Sequence, residues 1–347
     1  MPAIAVADAL RASGATVSFV GTRERAEAEL VPAAGYEIDF LTVSGLDRRN
    51  PLRAARAAGR AAAAVPAARR ILRGRGAEVV LGGGGYVAGP AGLAALSLRL
   101  PLVLTESDSH LGLTNRLLAP RARRVCLAFP IAGREGGRYV VTGRPVPAAI
   151  LEADRGAARR RFGIRGGDRC VAVVGGSLGA RSINDAALSA FAPRAQGGDT
   201  AWVIHIAGSR DYPSLRERLR VAGGPERYLL LEYEPSLGDV LAASDLVVSR
   251  AGGSVMEITA AGRPAILVPY PHATADHQSA NARWMQSGGA AVVIPDAELS
   301  PERLAAETER LLDDPAALDE MAVASRRLAR PDAAERVASE ILEAAGR

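Results

Sequence analysis

Between Arg250 and Ala282 the chain reads RAGGSVMEITAAGRPAILVPYPHATADHQSANA, and three features of that stretch could do chemistry together. Gly252-Gly253-Ser254 follows an apolar run and opens a helical pattern. Its backbone N–H groups and the Ser254 hydroxyl can therefore face an anion at a helix N-terminus, a place that suits phosphate oxygens. One turn further on, Glu257 can lean back to the same end and accept two hydroxyls of a ribose. A glutamate that only caps the first turn is the plainer alternative. A second glycine turn, Gly175-Gly176-Ser177-Leu178-Gly179 followed by Ala180, lies between the apolar run 170–174 and another helical pattern. Its glycines permit tight turning and close approach of a diphosphate. It lacks the GxGxxG order of a dinucleotide fingerprint and the Lys-Ser/Thr pair of a P-loop. Two such turns with one carboxylate in the same half fit a sugar nucleotide held in a single domain.

The first half carries its own loop, Gly82-Gly83-Gly84-Gly85-Tyr86-Val87-Ala88-Gly89-Pro90, after a strand pattern and before a helical one. Glycines cost about 1 kcal/mol each relative to alanine in regular structure, so such a run is kept where backbone must come near a ligand. A flexible connector is the other reading.

These loops need elements to hold them. Short β-rich runs alternate with Ala/Leu-rich helical patterns: 16–20, 79–81, 101–104 and 125–127 in the first half, then 170–174, 202–206, 228–231, 246–248 and 265–268 in the second. That alternation predicts an α/β fold, doubly wound, with two similar sheets. The junction falls near Thr142-Gly143-Arg144-Pro145-Val146-Pro147, where two prolines end the regular pattern. A ligand is expected in the cleft between the halves, outside the carboxyl ends of the strands. Residues 1–13 read as an amphipathic helix with Pro2 in its first turn. The strand and phosphate-facing turn that usually begin a doubly wound domain are missing from its start.

At 347 residues and 48% hydrophobic content the chain can bury a sizeable core and divide into two domains. Cys126 and Cys170 sit in apolar runs without CxxC or histidine spacing, which predicts buried thiols, no metal site and a reducing compartment. Neither a signal peptide nor an apolar run of about 20 residues is present, so export and membrane spanning are not expected. From Arg48 to Arg75 there are nine arginines and no acidic residue, and Arg49, Arg53, Arg56 and Arg60 recur at helical spacing. They form either a surface for anionic lipid head groups or a solvated helix face. Nucleic acid is not expected as a partner, because no aromatic residues interleave for base stacking.

Taken in order, Val20-Gly21-Thr22, GGYVAGP from Gly84, Thr105-Glu106, Gly112-Leu113-Thr114-Asn115-Arg116, Thr142-Gly143 with Pro145-Val146, the GGSLGA turn, Ser249-Arg250-Ala251-Gly252 and HATADHQSANA from His272 resemble the MurG family. These are transferases that move N-acetylglucosamine (GlcNAc) from UDP-GlcNAc to lipid I, making lipid II for peptidoglycan. The resemblance implies a GT-B architecture of two Rossmann-like domains. Residues 1–143 would face acceptor and membrane, residues 144–328 would bind the donor, and the helix 329–347 would pack back on the first domain. It implies that Gly175, Gly176, Ser177, Gly179, Ala180, Gly252, Gly253 and Ser254 hold the diphosphate. Glu257 would hold the ribose, while His277 and Gln278 reach the GlcNAc hydroxyls. Gly84, Gly85, Tyr86, Glu106 and Asn115 would lie on the acceptor side. No cofactor or metal is implied, and the expected place is the cytoplasmic face of the membrane, with UDP-GlcNAc, lipid I and the anionic inner leaflet as partners.

Three departures from the family pattern stand out. The family's opening strand and GGTGGH-like loop precede the point where this chain starts. Its Glu-Gln-Asn stretch reads Glu106-Ser107-Asp108 here, and its Gly-Asn-Pro-Val-Arg stretch reads Gly143-Arg144-Pro145-Val146-Pro147. With the loop histidine unassigned, Asp108 is the candidate general base and His110 the second. A GT-B enzyme with another acceptor, an epimerase of UDP-GlcNAc, and a donor-binding protein without catalysis are the alternatives.

Overall fold

A computed structural model describes residues 2–43, 51–176, 179–195 and 200–346, with the side chains of 51–55, 58 and 274 outside that description. The chain divides into two units, Met1–Val146 with Asp332–Arg347, and Pro147–Pro331.

In the first unit the order is α1 (Pro2–Ala12), β1 (Ser18–Gly21), α2 (Glu27–Ala33), β2 (Glu37–Phe40), α3 (Pro51–Gly74), β3 (Val80–Gly82), α4 (Ala88–Ser97), β4 (Leu102–Glu106), α5 (Leu113–Leu118), β5 (Arg124–Leu127) and β6 (Tyr139–Val141). The second unit runs α6 (Ala148–Leu151), α7 (Arg155–Arg161), β7 (Cys170–Val174), α8 (Arg181–Phe191), β8 (Trp202–Ile206), α9 (Tyr212–Val221), β9 (Tyr228–Leu231), α10 (Leu237–Ala243), β10 (Leu246–Ser249), α11 (Ser254–Ala260), β11 (Ala265–Leu267), α12 (His277–Ser287), β12 (Ala291–Val293), α13 (Pro301–Leu312) and α14 (Pro315–Leu328). The last helix, α15 (Ala333–Ala345), belongs to the first unit. There Val337, Ala338 and Ile341 join Val6 and Leu10 of α1 in one apolar cluster, and Arg124 bonds Glu340 at 2.7 Å.

The second unit is built on one parallel sheet of order β12-β11-β10-β7-β8-β9. Its central strands, CVAVV and LVVS, are buried along their whole length. Strands covered by helices on both faces need continuous apolar runs rather than alternation, which is why these read so clearly from sequence. The chain starts the sheet at β7, adds β8 and β9 on one side, then returns to add β10, β11 and β12 on the other. The order therefore reverses between β7 and β10, where loops leave in opposite directions and a crevice opens at the carboxyl ends.

The first unit departs from the expectation of a matching sheet. It has a four-stranded parallel sheet, β3-β4-β5-β6, and a separate two-stranded parallel pair, β1-β2. Buried residues of α3, α4 and the four-stranded sheet form its largest apolar cluster, which Val20 of β1 also joins. Both thiols are buried, and burial pushes Cys126 and Cys170 up to about 12, so neither is a nucleophile at neutral pH.

Candidate functional site

Both glycine turns of the second unit leave the carboxyl ends of β7 and β10, the strands that flank the reversal. Val174 pairs with Ser249 in register, and the Ser249 hydroxyl donates to the Val174 carbonyl at 3.2 Å, so the turns start side by side. After β10 the chain turns through Gly252 and Gly253 into α11, where the Ser254 hydroxyl donates back to the Arg250 carbonyl at 3.2 Å. Ser254 and Glu257 border a small gap, without room for a water molecule, together with Val174, Ser249, Leu237, Leu241 and Ile258. Glu257 is half-buried and lies in the first turn of its helix.

The glycines of the first turn do different jobs. Gly176 is exposed, has φ +77°, and among the described residues nothing lies within 4 Å of where its Cβ would stand. It is the position where a ligand has room. A Cβ on Gly175 would meet the Ala180 amide nitrogen at 2.9 Å, and one on Gly179 the Ala207 carbonyl at 2.3 Å. Those two are demanded by the protein's own packing. Ser177 falls outside the described residues.

A third wall comes from α12. Ala275 and Asp276 both have φ +53°, a left-handed conformation that costs non-glycine residues of order 1 kcal/mol or more and concentrates at functional sites. They aim the helix that His277 begins. Gln278 accepts the Tyr270 amide hydrogen on Oε1 at 2.9 Å, leaving its Nε2 3.8 Å from the Cβ position of Gly252. Asn281, fully buried, donates from Nδ2 to the Ala251 carbonyl at 3.0 Å, and its Oδ1 has no hydrogen-bond partner. Sequence reading missed Asn281, although it lies inside the quoted HATADHQSANA.

Arg250 was likewise unassigned. Its guanidinium donates to the carbonyls of Val268 and Pro269, to Asp296 at 2.6 Å and to the Ser182 hydroxyl at 2.8 Å, tying the ends of β10 and β11 to α8. Desolvation works to raise the Asp296 pKa, but the bonds from Ser182 and Arg250 outweigh it and hold the carboxyl below its usual range.

In the first unit the loops after β3 and β4 meet. The Thr114 hydroxyl donates to the Gly85 carbonyl at 2.9 Å, and a Cβ on Gly84 would stand 3.7 Å from Asn115 Nδ2. Tyr86 is half-buried under the Arg25 guanidinium, 5.6 Å from its ring centroid. The Glu106 carboxylate, 8% exposed, accepts from the amides of Ser107, Asp108 and Gly112 and from Asn115 Nδ2 at 2.9 Å. Four donors fill its lone pairs, so it organises the loop 107–112. Asp108 and His110 both ride on that loop, half-buried. Of the arginine face, Arg56 and Arg60 are exposed on α3; Arg49 and the Arg53 side chain lie outside the described residues.

Residues 1–127 match the glycosyltransferase family 28 N-terminal domain and residues 170–337 its C-terminal domain. A curated UDP-N-acetylglucosamine–N-acetylmuramyl-(pentapeptide) pyrophosphoryl-undecaprenol N-acetylglucosamine transferase of Methylococcus capsulatus is 42% identical over 349 residues, 99% of this chain and 95% of the relative. The protein of the same description from Alkalilimnicola ehrlichii is 44% identical over 356 residues, with the same coverage. The crystal structure of Acinetobacter baumannii MurG matches with TM-score 0.79 and 29% identity over 99% of this chain and 95% of that one. The calicheamicin glycosyltransferase CalG4 shares the fold, with TM-score 0.68 at 18% identity over 100% of this chain and 95% of its own. The α/β, GT-B-type expectation is borne out by these neighbours. The chain belongs to the MurG family, within glycosyltransferase family 28.

Proposed function

We propose that this chain transfers GlcNAc from UDP-GlcNAc to the C4 hydroxyl of the lipid-linked N-acetylmuramic acid of lipid I, giving lipid II. The observation that carries the donor half is the pair of turns that start side by side at the reversal of the second sheet, with Glu257 in the first turn of the helix that follows one of them. In this reading the diphosphate lies over Gly176 and the Gly252–Ser254 turn. Backbone N–H groups there stabilise the charge that develops as the C1–O bond to the diphosphate breaks. Glu257 accepts the ribose hydroxyls, and His277 and Gln278 face the sugar. The acceptor oxygen forms the new bond to C1 from the opposite face, which inverts the anomeric centre. Its proton passes to a base.

Asp108 is that base in our reading, with His110 second. Glu106 is set aside because its oxygens are fully engaged by loop donors. The first unit, with its glycine loop and basic helix, serves the acceptor, and the second serves the donor. No helix among the described residues is long and apolar enough to cross a membrane, and we place the protein at the cytoplasmic surface of the bilayer that holds the acceptor's tail.

The test is transfer of labelled GlcNAc to a soluble lipid I analogue, with Glu257→Gln and Asp108→Asn alongside. Wild type is expected to transfer. Glu257→Gln should raise the KM for UDP-GlcNAc about tenfold, since hydrogen bonds to a charged group are worth about 1.5–3 kcal/mol. Asp108→Asn should lower kcat at least a hundredfold, the lower end of general-base contributions. Donor bound without transfer would point to another acceptor or a non-catalytic role. Formation of UDP-ManNAc without acceptor would make the chain an epimerase, and unchanged turnover in Asp108→Asn would discard that residue as base.

A further inference from the structure

Beneath the first glycine turn lies a buried polar chain that the mechanism does not use. Tyr228, His205, Asn184 and Asp211 are 4%, 0%, 1% and 7% exposed. Asn184 Nδ2 donates to the Ala207 carbonyl at 2.9 Å and to Asp211 Oδ2 at 3.0 Å. Both of these partners are acceptors, so the amide has one permitted orientation and its Oδ1 must face His205 Nε2, 3.0 Å away. His205 Nε2 therefore carries the proton, and Nδ1 accepts from the Tyr228 hydroxyl at 2.7 Å. Each group fixes the next.

The far end of this chain presses on the turn. Cβ atoms built on Gly175 and Gly179 would stand 3.1 Å from Asn184 Oδ1 and 3.2 Å from Asn184 Nδ2 respectively. Gly175 and Gly179 thus both close on one amide. Asp211, which receives Asn184, also binds Arg210 at 2.9 Å, and Arg210 reaches the Gly179 carbonyl at 3.4 Å. Gly176, the one glycine of the turn with open space above it, lies between these two clamped positions.

We infer that Asn184 is a positioning residue that sets Gly175 and Gly179, and through them the donor's diphosphate, in the orientation that the Ala207 carbonyl and Asp211 fix and the buried His205–Tyr228 pair supports. The inference rests on the proposed donor reading. A core residue needs only to fill space, but this one must present a donor and an acceptor in a fixed sense. Replacing it by a shape-matched acid reverses one of those.

Four variants and UDP as the probe test it. Asn184→Asp puts an oxygen against the Ala207 carbonyl and the Asp211 carboxylate. It should weaken UDP binding and raise the KM for UDP-GlcNAc at least tenfold, leaving the acceptor KM within twofold. His205→Gln keeps a donor toward Asn184 and should stay within threefold of wild type, whereas His205→Ala should not. Tyr228→Phe removes one oxygen and serves if Asn184→Asp fails to fold. Nitrogen NMR of His205 should show a neutral ring protonated on Nε2 in wild type and an admixture of the Nδ1 tautomer in Tyr228→Phe, with weaker UDP binding. A folded Asn184→Asp that binds UDP within twofold of wild type, or that loses melting temperature and keeps its UDP affinity, would make Asn184 a packing residue and overturn the inference. So would a wild-type His205 protonated on Nδ1 in a protein that binds UDP. Wild-type protein that binds no UDP would instead sink the donor reading, and the link to the diphosphate with it.

Discussion

At the scale of single residues, His205 makes a prediction of its own. Burial pushes its pKa down from the ordinary 6.5 to about 3, so the folded protein keeps the ring neutral where the unfolded chain takes a proton. Below pH 6.5 the unfolded state then binds more protons, and stability falls by about 1.4 kcal/mol per pH unit until the folded pKa is reached. Asp211 and Asp296 are held below their ordinary range, Asp211 chiefly by its bond from Arg210, so their contributions fade only at more acid pH. Between pH 6.5 and 5 the loss ascribed to His205 is about 2 kcal/mol. The other three histidines are common to wild type and His205→Gln. Both tryptophans, Trp202 and Trp284, lie in the second unit, so fluorescence during urea unfolding reports on that unit. His205→Gln should lack this part of the acid slope. Equal slopes in the two proteins would mean that His205 is not held neutral. Nothing in the sequence around His205 signals its role, because its partners Asn184 and Tyr228 come from two other segments.

Among the elements, the sequence was readable where burial on both faces demands unbroken apolar runs. The expected ranges 170–174, 202–206 and 228–231 coincide with β7, β8 and β9. Three short strands, β2, β6 and β12, went unread. All three are edge strands, and EIDF in β2 carries two carboxylates on residues left partly exposed, so no apolar run marks it. The loops show the same limit. The glycine turns announce themselves by composition, but which glycine faces open space and which faces a carbonyl depends on Ala207, which follows β8. Glu106 reads from its motif as an acceptor-side residue, and only the geometry shows it clasping the loop 107–112. Glu106→Gln would turn an amide toward backbone donors and lose up to half of those bonds. We expect kcat to fall about tenfold, an amount matching the loss of roughly 1.4 kcal/mol from the placement of Asp108. The affinity for UDP should stay within twofold, since the donor turns lie in the other unit. Unimpaired turnover in Glu106→Gln would show that the loop holds its shape without the carboxylate.

Over the whole molecule the excess of 43 basic over 38 acidic residues is small, and its arrangement matters more than its sum. The arginines between Arg48 and Arg75 meet no acidic residue in that stretch, and α3 presents Arg56, Arg60, Arg70 and Arg73 to solvent. On the neighbouring helices of the same unit, Leu93 of α4 is 49% exposed and Leu117 of α5 is 66% exposed beside the exposed Arg116. Exposed cations and exposed leucines on helices of one unit would suit a surface that is anionic at its head groups and apolar beneath them. Each basic residue near such a surface contributes about 1 kcal/mol, and screening shortens its reach from about 10 Å at 0.1 M salt to about 3 Å at 1 M. The protein should therefore sediment with vesicles containing anionic lipid at low salt, bind neutral vesicles weakly, and leave the anionic vesicles as salt rises. Replacing Arg56, Arg60 and Arg73 together by glutamine should remove most of that binding. Transfer to a soluble lipid I analogue, measured on the same preparation, should be kept within twofold. A bound fraction that ignores both salt and lipid charge would rule out the electrostatic account and leave the exposed leucines as the anchor. Loss of soluble transfer together with binding would place those arginines at the acceptor itself.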